Sequence, residues 1–219
     1  MQQRITQVKI QTFTFNDFAE NTYILYDETK ECIIIDPGCY TIEEQNILTS
    51  FIHQKNLIPT KILNTHCHID HILGNKFVCN KWNINLFAHK KELPLLQASK
   101  QISKMYGFDD YKLSPMPHDY LNAGQTIKFG YVSLDILFCP GHSPGHICFY
   151  SKKNNLLIGG DIIFKGSIGR TDLPGGDYET LIKSINKEIL SLPNETQIYP
   201  GHGKPTSLSE EKKHNPFIS

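Results

Sequence analysis

The stretch Thr65-His66-Cys67-His68-Ile69-Asp70-His71 places three histidines and an aspartate within seven residues. It follows a short strand-like run at 61–64, Lys-Ile-Leu-Asn. In extended backbone, residues two apart share a side, so His66 and His68 point together and suit one metal ion. Cys67 then faces the other way and reads as a packed small residue, not a ligand or nucleophile. Asp70 and His71 fall in what reads as the first turn of a helix, point elsewhere, and suit a second ion.

Three further runs end in the same manner. Residues 132–138 alternate apolar and polar and stop at Cys139-Pro140-Gly141-His142; 155–158 stop at Gly159-Gly160-Asp161; 197–199 stop at Pro200-Gly201-His202. Each is a strand pattern closed by a glycine-marked turn that carries one donor, which is how a rigid scaffold presents reactive groups. Taken singly, a histidine is more often a surface or hydrogen-bonded core residue than a ligand. A dense His-x-His-x-Asp-His cluster joined by three strand-end donors is instead the pattern of a metal site. Imidazole and carboxylate together accept zinc, iron or manganese, and the two oxygens of a carboxylate allow it to bridge two ions. His53, His89, His118 and His214 lack such company and read as surface residues. His146, four residues after His142, reads as a structural partner of the site.

These motifs, with Gly141-His142-Ser143-Pro144-Gly145-His146, Gly159-Gly160-Asp161 and Gly201-His202-Gly203, resemble the signatures of the metallo-β-lactamase superfamily. Within it the chain is most similar to the glyoxalase II, or hydroxyacylglutathione hydrolase, group and its short single-domain branch. The likeness extends to Asn21-Thr22-Tyr23, Ile34-Ile35-Asp36-Pro37-Gly38, Gly169-Arg170-Thr171-Asp172 and Asn215-Pro216-Phe217. It implies an α/β (α+β) fold, a four-layer αββα sandwich with the metals at one edge between two sheets. It also implies His66, His68 and His142 on one ion, Asp70, His71 and His202 on the other, and Asp161 bridging. Asp70 and Asp161 are then the expected catalytic carboxylates. Asp36 is either an outer partner that orients a ligand imidazole or a turn-capping aspartate.

Composition agrees with that picture. At 219 residues the chain has room for one substantial domain, expected over 1–219, and none for the additional helical domain of full-length glyoxalase II enzymes. Lys plus Arg equals Asp plus Glu at 22 each, so no global field favours nucleic acid or an anionic membrane. Polar residues interrupt residues 1–15, so no signal or membrane-spanning stretch is expected there and the reading is cytoplasmic. Six cysteines without a CxxC pair fit a reducing compartment. Strands are expected at 5–15, 22–26, 31–35 and 84–88, and helices at 42–54, 90–104 and 178–190. Residues 105–124, with Gly107, Pro115 and Pro117, read as a long irregular loop, either a flap over substrate or a surface connection.

Two divalent ions, zinc first and iron or manganese next, would bring the pKa of a bridging water toward roughly 7, supply hydroxide as nucleophile and stabilise the oxyanion. A thioester suits this site, because a thiol of pKa near about 8.5 departs without a strong general acid. The expected partner is therefore a small-molecule acyl thioester. By the resemblance, Arg170 and Asp172 occupy positions where glyoxalase II enzymes carry a lysine and a tyrosine that hold glutathione. Arg170 keeps a cation able to bind a carboxylate, whereas Asp172 departs from the pattern; a salt-bridged turn is the competing reading. A mononuclear-iron persulfide dioxygenase using His66, His142 and Asp161, or a metal-binding module without turnover, are the alternatives. Nuclease and β-lactamase activities rank behind these.

Overall fold

Period-two alternation explains the architecture of the computed structural model, which describes residues 7–218. β1 (Lys9–Phe15), β2 (Glu20–Tyr26) and β3 (Glu31–Ile35) form an antiparallel meander. After α1 (Ile42–Gln54), β4 (Ile58–Leu63) adds in parallel to β3. Two short helices, α2 (Ile69–Ile72) and α3 (Asn75–Trp82), lead to β5 (Asn85–Ala88), also parallel. Helix α4 (Leu93–Met105) and the two-residue β6 (Asp119–Tyr120) complete a six-stranded sheet in the order β1-β2-β3-β4-β5-β6.

The second sheet begins with the hairpin β7 (Thr126–Phe129) and β8 (Val132–Phe138), continues through β9 (Ile147–Ser151), and turns back along β10 (Leu156–Gly160). A small hairpin, β11 (Ile163–Phe164) with β12 (Ser167–Ile168), precedes α5 (Tyr178–Ser184). β13 (Gln197–Pro200) then pairs in parallel with β10, β14 (Thr206–Ser207) pairs with β13, and α6 (Leu208–His214) follows.

Odd and even positions of the strands separate the layers. Tyr23, Leu25, Ile33 and Ile35 of the first sheet meet Ile147, Phe149, Leu156 and Ile158 of the second in the central core. Their neighbours Ile24, Cys32 and Ile34 face outward beneath Leu48 and Ile52 of α1 and Val78 of α3. On the other side Cys148, Tyr150 and Leu157 are covered by Leu181 of α5 and Leu208 of α6. Strands buried on both faces carry the continuous apolar runs seen in 32–35 and 147–150. The helix–sheet–sheet–helix order makes this the four-layer αββα sandwich.

Several elements differ from the sequence reading. Ile5 and Thr6 of the first expected strand lie outside the described residues, and β1 starts at Lys9. The expected helix 178–190 is α-helical only to Ser184 and continues as a π-turn over Ile185–Ile189. That widening keeps Leu181, Ile185 and Ile189 all buried on the sheet. Residues 105–124 are not a free surface connection: Phe108, Ser114 and Leu121 are buried, and Asn75 Nδ2 donates to Ser114 Oγ. His89 is not simply a surface residue, since its ring packs 4.6 Å from that of Phe138. No helix among the described residues is long and apolar enough to cross a membrane.

Candidate metal centre

The donors converge where the C-terminal ends of β4, β10 and β13 meet the loop after β8. The first set is tight: His68 Nδ1 lies 2.9 Å, and His66 Nε2 3.2 Å, from His142 Nε2. The second set gathers on Asp70, with His202 Nε2 3.1 Å and His71 Nε2 3.4 Å from its Oδ2. Asp161 spans both: Oδ2 is 3.5 Å from His142 Nε2 and 3.5 Å from His202 Nε2, and Oδ1 is 3.6 Å from His71 Nε2. Five of these seven side chains are buried, and His68 and His202 are partly open to solvent.

Backbone turns and outer hydrogen bonds decide which nitrogen each ring presents. His142 Nδ1–H donates to the Arg170 carbonyl at 2.7 Å, and His202 Nδ1–H to the Phe18 carbonyl at 3.0 Å. Asp36 accepts from His71 Nδ1–H at 3.2 Å and from the Thr65 hydroxyl at 2.6 Å. That hydroxyl, its proton committed to Asp36, accepts in turn from His66 Nδ1–H at 3.0 Å. All four rings therefore direct Nε2 inward, the atom free to take a metal ion. His146 Nε2 accepts from the Asp161 N–H at 3.0 Å and steadies the shared carboxylate from behind.

These residues fit a pair of cations. The lone pairs of His66 Nε2 and His142 Nε2 face each other at 3.2 Å, an arrangement that repels unless positive charge lies between them. His71 Nε2 and Asp161 Oδ1 are buried without a hydrogen-bond partner, as orphaned polar atoms that a cation would satisfy. The fixed glycines leave room: a Cβ at Gly201 would lie 2.1 Å from Asp161 Oδ1 and 2.8 Å from His71 Cε1. His66, His68 and His142 form one group of candidate ligands, and Asp70, His71 and His202 another.

Titration behaviour separates the two sets. Burial, with the neighbouring imidazoles, holds His66 well below the ordinary histidine range and takes His68 to about 3. His142 is also lowered, by burial first. At neutral pH these rings are uncharged, the state a metal requires. In the second set burial works against the charged form of His71, but Asp70 and Asp161 outweigh it and raise its pKa. Burial would raise the Asp161 carboxyl, and the charges of His71, His142 and His202 instead hold it well below the usual carboxylate range. The second set thus favours positive charge among carboxylates, which a bound cation would supply in place of protons.

Arg170 and Asp172 lie beside this centre but bind each other. Arg170 Nε and Nη2 donate to Asp172 Oδ1 and Oδ2, both at 2.7 Å, and both side chains are exposed. Sequence reading missed two buried acids. Glu20 is fully buried with Oε1 3.8 Å from His71 Nδ1, and Glu92 is 1% exposed beneath the ligand loops. Glu20 precedes Asn21-Thr22-Tyr23 and Glu92 opens a helix, positions where an acid ordinarily means a strand end or a first-turn charge.

The fold and the clustered donors define a metallohydrolase scaffold, and the family model described as the metallo-beta-lactamase superfamily matches residues 16–202. The chain belongs to that superfamily. It is 33% identical over 214 residues to "Hydroxyacylglutathione hydrolase GloC" of Haemophilus influenzae, covering 97% of this chain and 99% of the relative. Two solved structures are each 34% identical to it. BLEG-1, a B3 metallo-beta-lactamase, superposes with TM-score 0.87 over 96% of this chain and 100% of its own. TTHA1623, in a di-iron-bound form, gives 0.85 over 94% and 99%.

Proposed function

We propose that this chain is a dinuclear metal-dependent thioesterase of the hydroxyacylglutathione hydrolase type. The observation that carries the reading is the position of Asp161, whose two oxygens reach both histidine sets. His66, His68 and His142 would hold one ion, Asp70, His71 and His202 the other, with Asp161 shared. When bound, two divalent ions supply a hydroxide nucleophile near neutral pH and polarise the scissile carbonyl; zinc is the first expectation, and iron or manganese suits the same donors. The likeness to GloC supports the thioester, and the di-iron form of TTHA1623 supports the pair of ions.

The chain's own groups then have distinct tasks. Asp161 and Asp70 face the same space, and in this reading they would accept a hydrogen bond from the attacking water and keep its lone pair aimed at the carbonyl carbon. Asp36 and His146 hold the imidazoles and Asp161 so that little reorganisation accompanies the reaction. Water adds, the carbon–sulfur bond breaks, and the thiolate leaves without a dedicated acid because its conjugate acid has a pKa of about 8.5. Arg170 is the candidate for an anionic thiol carrier, with Asp172 controlling its orientation. Six free cysteines among the described residues are in keeping with a reducing, cytoplasmic setting.

The likeness to BLEG-1 favours β-lactam hydrolysis as a second reading. One sample tests both: elemental analysis per chain, then turnover of S-lactoylglutathione, other acyl thioesters and a chromogenic cephalosporin, with oxygen uptake on glutathione persulfide. Two ions with thioester hydrolysis are expected. Two ions with cephalosporin turnover and no thioesterase activity would replace the first reading by the second. One iron with oxygen uptake would establish a dioxygenase instead.

A further inference from the structure

Glu92 is a carboxylate in a place where burial is costly and where, among the described residues, no cation pairs with it. It stands at the start of α4, 1% exposed, and three donors converge on it. Cys67 N–H donates to Oε2 at 2.7 Å, while the Ser143 hydroxyl at 2.7 Å and Gly145 N–H at 2.6 Å donate to Oε1. Cys67 is the residue between His66 and His68, and Ser143 to Gly145 directly follow His142. A single side chain therefore joins the loop after β4 of one sheet to the loop after β8 of the other. Gly145 permits the approach, since a Cβ there would lie 2.9 Å from Glu92 Oε1.

The chemistry demands an acid at this point. Three donors aimed at two oxygens need a group that only accepts, and a glutamine would turn an NH₂ toward at least one of them. Charge-assisted bonds of this kind offset the desolvation of the carboxylate and rigidify what they join. No bond from Glu92 reaches the second set, whose anchors are Asp36 for His71 and the Phe18 carbonyl for His202.

We propose that Glu92 is a positioning residue that clasps the His66–His68 loop to the His142 loop and so sets the spacing of the first ligand set. The proposal rests on the metal reading above. Glu92 touches neither an ion nor the substrate; it acts through the backbone of Cys67 and Gly145 and the Ser143 hydroxyl.

The test uses the full chain with Co²⁺ as the probe, titrated against a competing chelator while the visible absorption of the bound ion is recorded. His202→Ala present in each protein makes the titration report the first set, and His68→Ala makes it report the second. Glu92→Gln is expected to weaken the first set about tenfold to a hundredfold, as loss of an outer-shell partner does, and to shift its cobalt bands. The second set should change by less than about twofold, the usual error of additivity for independent sites. A folded Glu92→Gln protein with unchanged affinity and spectrum at the first set overturns the proposal. If that variant does not fold, Ser143→Ala removes one of the three bonds and is expected to cost about fivefold at the first set alone; no change there overturns it equally. Failure of the unsubstituted chain to bind cobalt would instead reject the metal reading itself.

Discussion

Asp36 Oδ2 lies 3.2 Å from His71 Nδ1, so the His71 ring is held with Nε2 toward Asp70 and Asp161. The same oxygen receives the Thr65 hydroxyl, which carries the constraint on to His66 Nδ1. One carboxylate thus orients an imidazole of each set. Asp36 also has φ +48°, a backbone state that aspartate and asparagine adopt more readily than most residues. Asp36→Asn preserves that conformation and removes the charged acceptor. It is expected to lower affinity for both ions by about ten- to a hundredfold, measured by chelator competition; an effect confined to one ion would contradict the shared role.

The Arg170–Asp172 pair gives a prediction about substrate. Arg170 has donors beyond the two held by Asp172, and an anionic thiol carrier would engage them. Arg170→Glu should raise KM for a glutathione thioester by about tenfold or more, the scale of one lost charge-assisted contact. KM for an uncharged short-chain thioester should stay within about twofold. Equal KM values for the glutathione substrate in both proteins would remove Arg170 from substrate binding.

Acid should destabilise the metal-free protein. His66, His68, His142 and His146 all have lowered folded-state pKa values, led by burial. Below about pH 6.5 the unfolded chain takes up protons at these rings that the folded chain refuses, so stability falls as pH drops from there toward about 3, the folded value of His68. His71 and His202 have raised values and act in the opposite sense: their contribution is present below about pH 6.5 and fades as pH rises through their folded pKa. Glu20 and Glu92, raised by burial, act in the same sense as these two, but the five lowered rings, His89 included, outnumber the four raised groups, and acidification prevails. Thermal melts of chelator-treated protein at pH 7.5 and 5.5 should show a lower Tm at 5.5; an equal or higher Tm would refute the balance.

The seven candidate donors could be picked out in the sequence because each follows closely on a strand run, Asp70 and His71 in the helical turn after the one at 61–64, and a strand end fixes where the side chains beyond it emerge. The two-sheet architecture was legible for a related reason: β3 and β9 are apolar on both faces, which only a layered fold can bury. Glu20 and Glu92 were illegible because their partners are distant in sequence: Glu92 meets Ser143 across 51 positions. The π-turn at Ile185–Ile189 escaped because it leaves the apolar spacing of an α-helix almost unchanged. The Arg170–Asp172 pairing was visible as a possibility, yet only geometry could tell whether two residues separated by one would bend toward each other.

Gly201 supplies the sharpest steric prediction. A methyl group there would sit 2.1 Å from Asp161 Oδ1 and 2.8 Å from His71 Cε1, so the shared carboxylate must turn away from the second set. The neighbouring Gly159 offers a control, because a Cβ there meets Ile198 Cγ2 at an ordinary 3.5 Å. Gly201→Ala should lose about a hundredfold in turnover, the cost of displacing a catalytic group by roughly 1 Å. Its metal content should fall from two ions to one under dialysis. Gly159→Ala should retain both ions, with stability unchanged or raised by about 0.4–1 kcal/mol through the less flexible unfolded chain. Two ions and full activity in Gly201→Ala would mean that Asp161 is not shared between the sets.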